Sequence, residues 1–130
     1  MSTWQEKLNE KCLAEGGWYG CIAPDGWKDI ILKADAMLTY MDPNYKINQV
    51  KQKFGTLRYY FETEKTGIEL DIMYAIATQA EVYSASVCET CGKFGELRTE
   101  RRFVETLCTK CDAVRAEEYA KWREEQNAKR

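Results

Sequence analysis

The sequence predicts an α+β fold in which helices pack on a small antiparallel β-hairpin or sheet, followed by a four-cysteine unit and a C-terminal helix. Three observations carry this. Apolar residues recur with helical spacing over residues 25–41 and 68–86, and the period falls to two between Lys46 and Thr63. Two C-x2-C pairs then flank sixteen residues near the C-terminus. A chain of 130 residues with 45% hydrophobic and 31% charged residues is long enough to bury one core. Residues 1–87 read as a helix–hairpin–helix core and 88–130 as the cysteine unit with its helix, together one compact domain.

The first helix is expected over Thr3 to Leu13, where Trp4, Leu8 and Cys12 fall on one face. Gly16-Gly17 would end it. A second helix, capped by Asp25, places Trp27, Ile30, Ile31, Ala34, Leu38 and Met41 on one face and stops at Asp42-Pro43. Gly55-Thr56 reads as a two-residue type II′ turn with Phe54 opposite Leu57, which sets Lys53 opposite Arg58 and Lys51 opposite Tyr60. Val50, Gln52, Phe54, Leu57, Tyr59 and Phe61 then share an apolar face, and Gln49, Lys51, Lys53, Arg58, Tyr60 and Glu62 the polar one. A third helix, Ile68 to about Ser86, is apolar around most of its circumference and is expected to be buried. The last helix, Asp112 to Lys129, has balanced charges.

Cys88-Glu-Thr-Cys91-Gly92 and Cys108-Thr-Lys-Cys111 form a C-x2-C-x16-C-x2-C pattern, the spacing of a tetrahedral thiolate zinc site. A knuckle, a hairpin, then ligands in the first turn of a helix is the treble-clef arrangement. Four cysteines leave no open coordination position, so one zinc ion is expected to be structural. Gly92 fits a left-handed residue behind the knuckle. Cys12 and Cys21 read as core filler.

Net charge is −2 with pI near 5.3, against a general polyanion-binding surface. The one basic island is Lys46 to Lys65, with five cations against two acids. Lys51, Lys53, Arg58 and Tyr60 are therefore the candidate ligand-binding residues, for an anionic small molecule, a nucleotide or a nucleic-acid segment. With no His in the chain, His-dependent triads and His-ligated catalytic metals are excluded. Asp25, Asp29, Glu62 and Glu81 could serve as acids or bases, but no paired-carboxylate motif, phosphate loop or nucleophile elbow accompanies them, and no catalytic residue is assigned. The competing reading is a protein-interaction module or inhibitor with purely structural zinc, contacting its partner through Trp18, Tyr19 and Trp27. Without an apolar leader or membrane span, a cytoplasmic location is expected.

The run Gln49-Val-Lys-Gln-Lys-Phe-Gly-Thr-Leu-Arg-Tyr-Tyr60, with Cys88-Glu-Thr-Cys-Gly92 and Thr106-Leu-Cys108, resembles a family of small uncharacterised proteins found in bacteria and their phages. The resemblance spans roughly residues 26–111. It implies a hairpin, a helix and a zinc module, and a phage member could use them to intercept a host signal. Phe103 stands where relatives often carry Trp, and Cys111 where many carry His.

Overall fold

A computed structural model describes residues 3–12 and 20–129. Helix α1 is Trp4–Asn9, shorter than the expected Thr3 to Leu13. A capping box opens it: Thr3 Oγ1 accepts from the Glu6 N–H, and the Glu6 carboxylate accepts from the Thr3 N–H. Beyond α1, Cys12 leaves helical geometry to bridge Ile47 in parallel fashion. Gly16-Gly17, Trp18 and Tyr19 lie outside the described residues.

Strand β1, Gly20–Cys21, runs parallel to β2, Lys46–Lys53, which pairs antiparallel with β3, Thr56–Glu62. The sheet order is β1-β2-β3, so the hairpin lies in a mixed sheet rather than an antiparallel one. The hairpin turn is Phe54-Gly55, not Gly55-Thr56. Phe54 has φ 53° and Gly55 φ 83°, the paired positive values of a type I′ loop. Lys53 now faces Thr56, Gln52 faces Leu57, Lys51 faces Arg58 and Val50 faces Tyr59. Each partner has moved by two residues, which preserves the side-chain alternation. Val50, Leu57, Tyr59 and Phe61 are therefore buried as expected, whereas Phe54 sits on the loop and is 72% exposed. Docking of the loop explains the choice: a Cβ on Gly55 would lie 2.3 Å from Leu97 Cδ1, and Thr106 Oγ1 donates to the Gly55 carbonyl at 2.7 Å.

A 3-10 turn, Asp25–Trp27, leads into α2, Lys28–Met41. Asp25 does not cap α2. Its Oδ1 accepts from Trp4 Nε1 at 2.8 Å and from Gln5 Nε2 at 2.9 Å, pinning α1 to this turn. Helix α3 is Gly67–Ser84 and packs on β3 and α2 through Met73, Ile76, Ala77 and Ala80. Only this face is buried; Ile68, Ile72, Tyr74, Val82 and Tyr83 are exposed, so α3 covers the sheet from one side without being enclosed. Its Ser84 and Glu81 also close the free edge of the sheet. Ser84 Oγ accepts from the Leu57 N–H at 2.8 Å and Glu81 Oε2 from the Tyr59 N–H at 2.9 Å.

The core gathers Leu8, Trp27, Ile31, Leu38, Ile47, Val50, Leu57 and Met73 between the helices and one face of the sheet. Tyr45 and Tyr59 enter it with their hydroxyls paired at 2.7 Å; Tyr45 donates onward to Asp35, which Lys11 Nζ holds at 2.8 and 3.0 Å. Strands β4, Glu96–Arg98, and β5, Glu105–Leu107, then form a second hairpin, and α4 runs Thr109–Ala128. Among the described residues no helix is long and apolar enough to cross a membrane.

Candidate metal centre and basic face

Four cysteines converge from two places in the chain. Cys88 and Cys91 lie in a knuckle closed by the Gly92 N–H donating to the Cys88 carbonyl at 3.0 Å; Gly92 has φ 82°, the left-handed conformation that lets the backbone double back. Cys108 is the N-cap of α4, and its Sγ accepts from the Cys111 N–H at 3.4 Å. All four sulfurs lie within 4.8 Å of one another, with Cys91 and Cys108 Sγ 3.7 Å apart, and none of the six cysteines is in a disulfide. The group can hold one metal ion.

Local electrostatics favour thiolate at two of the four. Cys108 is held down to about 7, first by the Cys111 N–H at the positive end of α4. Burial opposes ionisation of Cys88, but N–H groups around the knuckle outweigh it and lower its pKa. Cys111 goes the other way, pushed up to about 12 by burial and by the neighbouring sulfurs, because a third or fourth negative charge is costly there. A metal that takes all four must displace protons, so its binding strengthens as pH rises.

The knuckle is welded to the core. Gly26 N–H donates to the Glu89 carbonyl at 2.8 Å and Trp27 Nε1 to the Val87 carbonyl at 2.8 Å. Trp27, expected with Trp18 and Tyr19 to form an exposed contact patch, is fully buried in this joint. Glu89 is buried too; its Oε2 accepts from the Thr106 N–H at 2.7 Å and Gln52 Nε2 at 3.2 Å, and burial pushes its carboxyl up. Gln52 thus ties the first hairpin to the cysteine unit, a role its position on the apolar face only hinted at.

The face of the sheet away from the core carries Gln49, Lys51, Arg58 and Tyr60. Lys51 stands directly opposite Arg58, both half-buried, and Tyr60 is 43% exposed beside them. Lys53, expected opposite Arg58, lies at the loop instead, with its Nζ 5.9 Å from the Phe54 ring centre. Arg58 Nη1 donates to Thr56 Oγ1 at 2.8 Å and to the Leu57 carbonyl at 3.2 Å. Among the described residues Lys51, Lys53 and Arg58 form no ion pair with an acid; Glu81, which could have neutralised them, is spent on the sheet edge. Of the other candidate acids, Asp25 is tied to Trp4 and Gln5, and Glu62 pairs across the sheet with Lys46. No family model, curated protein or solved structure matches the chain.

Proposed function

We propose that the chain is a non-catalytic binding protein, braced by one structural zinc ion, that captures an anionic ligand on the outer face of its first hairpin. Zinc is supported by the donor set. With metal–sulfur bonds of about 2.3 Å, a tetrahedron has edges of about 3.8 Å, close to the 3.7 Å between the Cys91 and Cys108 sulfurs. The order of knuckle, hairpin and helix supports the treble-clef reading. Cys88, Cys91, Cys108 and Cys111 would be the whole ligand set, leaving the metal no open position for catalysis.

The observation that carries the binding reading is the unneutralised cation pair, Lys51 opposite Arg58, flanked by Tyr60. Like charges opposed across two strands are unfavourable unless an anion intervenes. A guanidinium and an ammonium suit phosphate, and a half-exposed phenol ring suits a stacked base. The ligand is therefore a nucleotide or a short nucleic-acid segment. The test is fluorescence anisotropy with a labelled single-stranded oligonucleotide at several salt concentrations. The combined Lys51→Ala and Arg58→Ala variant should lose binding while keeping metal content and melting temperature; unchanged binding would refute the reading.

A second reading, a protein-interaction module, draws on exposed apolar residues. Met37, Tyr40, Ile72 and Tyr83 line two adjoining grooves between α2 and α3. Met37→Lys should abolish partner binding under that reading and leave oligonucleotide binding intact.

A further inference from the structure

A cavity of about 490 Å³ opens between α1 and α2 and is lined by no residue of the hairpin. Its size lies within the range of small-molecule sites. Leu8 and Leu32 line it with aliphatic carbon, and Trp4 forms a side. The indole is oriented by its Nε1, which donates to Asp25 at 2.8 Å, and α1 itself is held by its capping box. Lys11 also lines the cavity, with its ammonium fully engaged by Asp35 and by Thr39 Oγ1 at 2.9 Å.

The two remaining lysines are different. Lys7 from α1 and Lys28 from α2 reach the same cavity, and among the described residues neither forms an ion pair. Asp25, held by Trp4 and Gln5, lies within electrostatic reach of Lys28 without forming an ion pair with it. Counting the lining, three Lys against one Asp leaves +2, in a chain whose net charge is −2. Two elements thus deliver ammonium groups without an ion-pair partner to a pocket with a hydrogen-bonded indole and an apolar lining. Lysine ammonium is a compact point charge suited to phosphate, and the indole face suits a planar ring.

We propose that this cavity binds a small phosphorylated molecule carrying a planar ring, of the nucleoside monophosphate class, with the phosphate between Lys7 and Lys28 and the ring against Trp4. The assignment does not depend on the hairpin reading. Isothermal titration calorimetry of the full chain with AMP, ribose 5-phosphate and inorganic phosphate tests it. AMP should bind more tightly than either of the other two, and Lys7→Glu combined with Lys28→Glu should weaken AMP by on the order of tenfold or more. Trp4→Leu should erase the preference for AMP over ribose 5-phosphate; circular dichroism checks that each variant is folded. In the Lys51→Ala and Arg58→Ala background, which removes any contribution of the hairpin face, AMP should still bind at the cavity, and Lys7→Glu combined with Lys28→Glu should then weaken it. No heat with any of the three probes, or AMP binding in that background that survives the double charge reversal, overturns the proposal. AMP binding lost only in the hairpin variant overturns it as well while supporting the hairpin site.

Discussion

Replacing Gly26 by Ala should uncouple the cysteine unit from the core. An added Cβ would lie 2.1 Å from the Cys88 carbonyl oxygen and 2.4 and 2.5 Å from the Glu89 carbonyl carbon and oxygen. These are backbone atoms, which cannot rotate away, so the knuckle must retreat by at least roughly 1 Å to restore ordinary contact. That movement breaks the Gly26 N–H bond to Glu89 and stretches the Trp27 bond to Val87, both 2.8 Å long. Overpacking costs about 1–3 kcal/mol and each net hydrogen bond about 1 kcal/mol, so a loss of about 3 kcal/mol or more is expected. Gly67→Ala is the control. Its φ of 62° strains a side chain, but a Cβ there meets nothing within 4 Å, so it should cost only about 1–2 kcal/mol. Urea unfolding of the two metal-loaded variants measures the difference. If Gly26→Ala stays within about 0.5 kcal/mol of the parent, or costs less than Gly67→Ala, the joint is not as described.

Thr106→Val should cost about 1–3 kcal/mol by leaving the buried Gly55 carbonyl without its donor, read as a lower urea midpoint with an unchanged slope. Tyr45 and Tyr59 have pKa values raised first by burial, so the folded state keeps protons that the unfolded chain gives up; stability present below about pH 10 should fall as pH rises above it. Tyr59→Phe should flatten that alkaline decline, and thermal melts at several pH values check it. Asp42 is displaced downward, first by the Thr63 hydroxyl and then by the Asn44 N–H, so its contribution is present above about pH 4 and lost as pH falls through its lowered value. Asp42→Asn should shrink the acid-side loss of stability in the same melts.

Periodicity made α2, α3 and the first hairpin legible, because each buries one face of a regular element. It also placed Trp27 on the buried face of α2 with Ile31, Ala34 and Leu38, and that signal outweighs the general tendency of Trp to mark interfaces. The alternation in the hairpin fixed its faces but not its partners, since a two-residue shift leaves every side chain on the same side. What selects the shift is the contact of Gly55 with Leu97 and Thr106, some fifty residues on, which no local pattern encodes. Strand β1 escaped for a related reason: two residues carry no period, and its existence depends on the neighbouring β2. The circumference of α3 was overread, because exposed Ile and Tyr on a helix look the same in sequence as buried ones. The cysteine group was legible from spacing, since each C-x2-C turn sets two sulfurs side by side and sixteen residues suffice for the hairpin that brings the pairs together. The lysine cavity was not, because Lys7 and Lys28 meet only once α1 is pinned to the Asp25 turn.

The central claim is that four thiolates hold one zinc ion that braces the fold. Native mass spectrometry of protein purified from cells under reducing conditions, with metal analysis of the same sample, addresses it most directly. The account predicts one zinc per chain in the parent and none retained after Cys88→Ser combined with Cys111→Ser. Chelation should unfold the cysteine unit and α4, read as a partial loss of helical circular dichroism, while the helix–hairpin core persists. A parent chain that carries no metal, or one whose mass is lowered by disulfides among these four cysteines, would contradict the account.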